Sequence, residues 1–142
     1  IVRFINKFIG INPMVEYKKI TLEEILKSLK DPKCSLKYVE IEGIARGAVK
    51  YPHLGDVSKS HNRYDLAFFL QDGSNFTDIN FESSDLNYEE CHAALKTSSE
   101  SGFKIIIKGY LQSTPEDVHK GIGILADKIT FGNFVYKRYS YK

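Results

Sequence analysis

From Lys37 onward, apolar and polar residues alternate with a two-residue period in five separate runs: Lys37 to Tyr51, Tyr64 to Leu70, Phe76 to Glu82, Phe103 to Gln112 and Gly121 to Phe131. That period puts successive side chains on opposite faces of a strand. In the first run Val39, Ile41 and Gly43 share a face and Glu40 and Glu42 point the other way, with Gly43 interrupting the alternation before Ile44 resumes it. A glycine inside a strand marks a bulge or sharp bend, and Gly47 is a second candidate for the same purpose. Leu66, Phe68 and Leu70 alternate inward on the second run, and Thr77, Ile79 and Phe81 on the third. The two are joined by Gln71-Asp72-Gly73-Ser74-Asn75, a hairpin connection whose Asp-Gly pair accepts positive φ. From Ser83 to about Ser98 the period becomes helical, with Leu86, Cys91, Ala94 and Leu95 as its apolar positions and Ser83 or Ser84 as the cap. The fourth run holds Ile105-Ile106-Ile107, and its Ile107-Lys108-Gly109 echoes Ile41-Glu42-Gly43.

The first 36 residues read differently. Ile1, Phe4, Ile5, Phe8 and Ile9 lie on one face of a short amphipathic helix over Ile1 to Ile11, which Asn12-Pro13 breaks. A second helix starts at Thr21, where Thr21 and Glu24 form a T-x-x-E capping box and Ile20 and Ile25 stand at hydrophobic-staple positions. Leu22, Ile25, Leu26 and Leu29 form its apolar stripe, Asp31-Pro32 ends it, and it is expected to close one end of the domain. At the other end of the chain, Asn133 to Lys142 finishes in Tyr136-Lys-Arg-Tyr-Ser-Tyr-Lys142, which reads as too polar for core. The organisation is thus an N-terminal helical extension over 1–36, a strand-rich domain over 37–132 and a basic, Tyr-rich tail over 133–142.

Five strands in this order, a helix between the third and fourth, and glycines in the first and fourth resemble the oligonucleotide/oligosaccharide-binding barrel, or OB-fold. The resemblance covers 37–132 and implies a mainly β chain with minor α: a five-stranded barrel that carries the helix between strands three and four. It also implies a place for a ligand, the outer face of strands two and three, flanked by the loop after strand one and the loop before strand five. Here those loops are Pro52 to Asn62 and Ser113 to Lys120.

Charge divides this expectation. The stretch Arg46 to Tyr64 carries Arg46, Lys50, Lys59 and Arg63 against Asp56, interleaved with Tyr51, His53, His61 and Tyr64. Cations that follow phosphates beside rings that stack on bases suit a single-stranded nucleic acid. The net +2 of the chain comes from its ends, however, because residues 37–132 hold 10 Lys and Arg against 14 Asp and Glu. With Leu66 and Ile79 inward, the outer strand face shows Asp65, Ala67 and Phe69 beside Phe76, Asp78, Asn80 and Glu82, and three carboxylates there repel a phosphate backbone. Two readings follow. In the first, a single-stranded nucleic acid lies along the loop and the tail, on Arg46, Lys50, Tyr51, Lys59, Arg63, Tyr64, Lys137 and Arg138. In the second, the domain is a protein-interaction or membrane-side module, and Phe69, Phe76, Asp78 and Glu82 form its contact patch. A carbohydrate or small-ligand site is a third, weaker reading.

Catalysis is not expected. His53, His61, His92 and His119 are scattered without metal-ligand spacing, and Cys91 and His92, adjacent on a helix, diverge by about 100°. No nucleophile elbow, phosphate-cradling loop or zinc-protease motif is present, and Gly121-Ile-Gly123 alone signals nothing. No cofactor or metal is expected. Cys34 and Cys91 read as reduced thiols, with a Cys34–Cys91 disulfide the alternative for an exported chain. No window has the roughly 18 consecutive apolar residues of a membrane span. The start at Ile1 rather than Met points to a trimmed or processed chain; a cytoplasmic location is favoured over an exported or membrane-side one.

Overall fold

A computed structural model describes residues 15–52, 64–82, 88–113 and 122–138. The helix expected over Ile1 to Ile11, the Ser83, Ser84 and Leu86 helix start, both flanking loops and residues 139–142 lie outside the described residues. The elements are β1 (Lys18–Lys19), α1 (Leu22–Leu29), β2 (Tyr38–Pro52), β3 (Tyr64–Asp72), β4 (Asn75–Glu82), α2 (Tyr88–Ser101), β5 (Ile105–Leu111), β6 (Gly123–Phe131) and β7 (Phe134–Lys137).

Five of the strands close on themselves in the order β2-β3-β4-β6-β5 and back to β2. Only the β4–β6 seam of this barrel is parallel. The 15-residue β2 makes closure possible by serving two neighbours. Its first half, Tyr38 to Gly43, pairs with β5, and its second half, from Ile44, pairs with β3. The two backbones nearly touch at the hand-over. A Cβ on Gly43 would stand 2.9 Å from Leu70 Cγ and closer still to the Gln71 carbonyl oxygen. Gly109 of β5 is packed in the same way against Ala126 and the Leu125 carbonyl. Both glycines are therefore required by close approach.

The inward alternation does not break at Gly43. Val39, Ile41 and Ala45 are all buried and Ile44 is only half-buried, so the parity runs unbroken through the glycine. The irregularity comes later, between Arg46 and Val49, where Gly47 takes φ +64°. Leu66, Phe68, Leu70, Thr77, Ile79 and Phe81 all point inward as the alternation requires. The β3–β4 turn is the tight Gly73-Ser74 hairpin, with Gly73 at φ +65°.

The helices complete one core. Thr21 Oγ1 accepts from the Glu24 N–H at 3.1 Å and Glu24 Oε1 accepts from the Thr21 N–H at 2.9 Å, so the capping box is formed. These bonds to Thr21 hold the Glu24 carboxyl below its ordinary pKa. Leu22, Ile25 and Leu29 join the barrel core, with Leu26 half-buried beside them. On α2, Cys91, Leu95 and Ser98 are buried. Ser98 is the polar member of that stripe: its hydroxyl donates to the Phe103 carbonyl at 2.6 Å and accepts from the Ala45 N–H at 3.1 Å. It thereby locks helix to barrel and supplies the buried Ala45 N–H with its acceptor.

The tail departs from the sequence reading. Residues 134–137 form β7, antiparallel to β6, and Tyr136 belongs to the core. The ring goes in because its hydroxyl finds a partner, donating to Glu90 Oε2 of α2 at 3.0 Å. Burial first, and then that carboxylate, push the Tyr136 phenol up to about 12.

Replacing Gly43 with alanine inserts a methyl where backbone and Leu70 already meet. We expect Gly43→Ala to destabilise the fold by about 1–3 kcal/mol or more, the range for overpacking, as measured by denaturant unfolding.

Candidate functional site

The barrel brings the outward residues of β2, β3 and β4 onto one face. Register sets Arg46 of β2 opposite Phe69 and Val49 opposite Ala67, and sets Phe69 opposite Asp78 and Gln71 opposite Phe76 across the β3–β4 pair. Phe69 and Phe76 are consequently diagonal neighbours, within reach of one another's rings. Both stay largely in water, at 49% and 53% exposure, as does Val49 at 55%. Beside Val49 and Phe69 lies a groove of about 420 Å³ lined by these two with Ala67, Asp78 and Asn80, among others. An apolar floor with two polar side chains at its edge can seat a flat, partly polar group.

The carboxylates expected on this face are mostly taken up. Asp65 is 6% exposed, held at the loop end of β3 between Tyr51 and Glu82 in register. Glu82 lies 3.8 Å from the Arg138 guanidinium. Asp78 is exposed. Arg138 offsets the Glu82 charge, and the phosphate repulsion that the sequence suggests is weaker to that extent.

The cationic candidates separate into three groups. Arg46 serves the fold: its Nε donates to Gln71 Oε1 at 2.9 Å and a terminal nitrogen donates to the Ser99 carbonyl at 2.8 Å. That carbonyl is one of those left open at the end of α2, whose last turn carries no basic residue, so Arg46 supplies the missing cation from the neighbouring strand. Arg138 is likewise engaged, its Nε donating to Asp127 Oδ1 at 3.1 Å while it also meets Glu82. Lys50 is exposed, its ammonium 5.3 Å from the centre of the Tyr88 ring, and Lys137 is exposed on β7. Lys59 and Arg63 lie outside the described residues, as do His53, His61 and His119. Tyr51 and Tyr64 close the strand ends, paired with Asp65 and Pro52 respectively.

Sequence reasoning missed a second concentration of rings and cations, on the outward side of β5 and β6. Tyr17, Tyr38 and Tyr110 form an edge-to-face chain with centroids 5.9 and 5.4 Å apart. The Lys108 ammonium lies 5.8 Å from the Tyr17 ring centre. The Tyr17 hydroxyl donates to Asp127 Oδ2 at 2.8 Å, and burial together with that carboxylate raises its pKa well above the ordinary phenol value. Tyr38 and Tyr110 were legible only as strand-end residues, because their meeting depends on a register between strands some seventy residues apart.

Cys34 and Cys91 are both free. Burial pushes the Cys91 thiol from 9.0 up to about 12. The ring of its neighbour His92 has Nε2 3.3 Å from the Ala48 carbonyl oxygen. Among the described residues no three His, Cys, Asp or Glu side chains are grouped to hold a metal ion, and no described helix is long and apolar enough to cross a membrane.

No family model and no curated protein sequence matches the chain. Solved structures do. A crystal structure of yeast Stn1 and Ten1 superposes with a TM-score of 0.53 at 15% identity, over 88% of this chain and 65% of that one. A structure of RecG bound to a three-way DNA junction gives 0.49 at 17% identity, over 88% of this chain and 15% of that one. The chain thus spans less than two thirds of either.

Three outcomes test these placements. Arg46→Ala should lower stability by about 1–3 kcal/mol, since it removes two hydrogen bonds from a charged donor, as read by thermal or chemical unfolding. A thiol reagent should modify half-buried Cys34 in the native protein and reach Cys91 only on unfolding. The Cys91 pKa is raised in the fold, so its share of stability is complete below pH 9.0 and is lost as pH rises toward about 12. Unfolding titrations across that window should show the decline, and Cys91→Ala should remove part of it.

Proposed function

We propose that this OB-fold domain is a non-catalytic module that binds single-stranded nucleic acid. The observation that carries the reading is the groove lined by Val49 and Phe69 on the strand face that such barrels use for ligands, with the Phe76 ring diagonal to Phe69 and both rings half in water. Bases stack on these rings, each contact contributing about 1–3 kcal/mol. Phosphates run toward the cations of the 46–64 segment, with Lys50 at its near end. Of the carboxylates opposed to this path, Glu82 is offset by Arg138. A non-catalytic role agrees with a Cys91 thiol held neutral and a His92 ring occupied at a backbone carbonyl.

Exposure of Val49, Phe69 and Phe76 beside Asp78 also favours a second reading, in which the same patch anchors a protein partner. The two readings differ in their response to salt. Labelled single-stranded DNA and RNA, titrated at two salt concentrations and followed by fluorescence anisotropy, should bind with an affinity that falls as salt rises. Phe69→Ala should weaken that binding by about fivefold or more, and Lys59→Gln with Arg63→Gln should flatten the salt slope by about 0.7 per residue. Absence of binding at low salt, or affinity indifferent to salt, rejects the nucleic-acid reading. A partner captured by the wild type and released by Phe69→Ala, with oligonucleotides inert, establishes the protein reading.

A further inference from the structure

The groove does not stop at β4. Following the register outward from it, Ala67 is opposite Asn80, Asn80 opposite Leu125, Leu125 opposite Tyr110, and Tyr110 opposite Tyr38. Directly opposed residues share a face of the sheet, so these side chains form one continuous band across five strands, roughly 19 Å long at the usual strand spacing. Ala67 and Asn80 line the groove. Leu125, Tyr110 and Tyr38 line a second depression, of about 770 Å³. The two hollows meet at the Asn80–Leu125 pair.

Beside the tyrosine end of this band runs a row of charge. Lys108, Lys128 and Lys137 are opposed to one another across β5, β6 and β7. Like charges placed directly opposite are unfavourable in a sheet. Lys108 has Glu40 at 4.0 Å, but neither Lys128 nor Lys137 has an ion-pair partner among the described residues. The nearby carboxylate of Asp127 is occupied by Arg138 and the Tyr17 hydroxyl. Three lysines in register, two of them without an ion-pair partner among the described residues, beside a Tyr110 that is 39% exposed match a chain of phosphates carrying flat bases.

We propose that the bound single strand continues past the β3–β4 groove, over Leu125, so that bases stack on Tyr110 and phosphates contact Lys128 and Lys137. This rests on the nucleic-acid reading and extends it to a second face that lies outside the strand face such barrels commonly use. The strand wraps part of the barrel, and the bound length lies toward the upper end of the range of about 4 to 16 nucleotides that one such barrel covers.

The test uses the full chain and labelled oligo-dT of about 16 nucleotides, the upper end of that range. Lys128→Gln with Lys137→Gln should flatten the slope of log affinity against log salt by about 1.4, that is about 0.7 for each phosphate of a single strand that is no longer neutralised. Tyr110→Ala should weaken binding by about tenfold, the effect of unstacking one base. All three positions lie outside the buried core, and unfolding midpoints of the variants verify that the fold is kept. If the wild type binds and Phe69→Ala weakens it, while the lysine pair and Tyr110 variants leave affinity and salt slope unchanged, this inference fails and the groove reading stands. If the wild type does not bind the oligonucleotide at low salt, both fail together. If the lysine pair matters but Tyr110→Ala does not, the stacking path is overturned and the face is a plain cationic patch.

Discussion

The whole arrangement depends on a contact that no side chain makes. Gly43 lies where β2 leaves β5 for β3, and Gly109 lies where β5 presses on β6; at both points backbone meets backbone at a distance that any Cβ would prevent. Those approaches let a single 15-residue strand belong to two halves of the sheet and the barrel close. Once it is closed, the positions of both outward faces are fixed. Gly47 and Val49 border the groove because they follow the hand-over, and Tyr38 meets Tyr110 because it precedes it. One strand therefore contributes to both surfaces.

Closure also rearranges the charges. Read along the chain, the barrel is acidic and its cations gather in one loop and the tail. In three dimensions Arg46 completes the end of α2, Arg138 joins Asp127 and Glu82, and Asp65 is withdrawn from solvent. What remains outward is a different set, headed by lysines on three successive strands. A sequence tally weights all these residues equally, whereas the fold assigns some to internal contacts and leaves others facing solvent.

The barrel was legible because its signals are local. Period-two runs, the Asp72-Gly73 turn and the Thr21–Glu24 capping box each act within a few residues, and each appears where its chemistry demands. Ile44 misleads because a glycine in a strand reads as a reset of the alternation, when it only admits a close neighbour. β7 was missed because Tyr136 sits among polar residues; its burial depends on Glu90, 46 positions away, accepting a hydrogen bond from its hydroxyl. A Gly132-Asn133 pair between Phe131 and Phe134 was the local signal for that hairpin, and Gly132 does take φ +62°. The tyrosine and lysine rows carried no signal of this kind, since only register brings their members together.

A closed barrel has no free edge, yet β1 and β7 lie outside it and, among the described residues, each pairs on one side only. β1 consists of two exposed lysines, too short and too charged to template another strand. β7 is twice that length and carries Phe134 and Val135, at 60% and 51% exposure, with its one lysine at the end. The molecule is therefore guarded unequally against strand addition: one flank rejects a neighbouring backbone by length and charge, while the other holds an unpaired ladder beside apolar side chains.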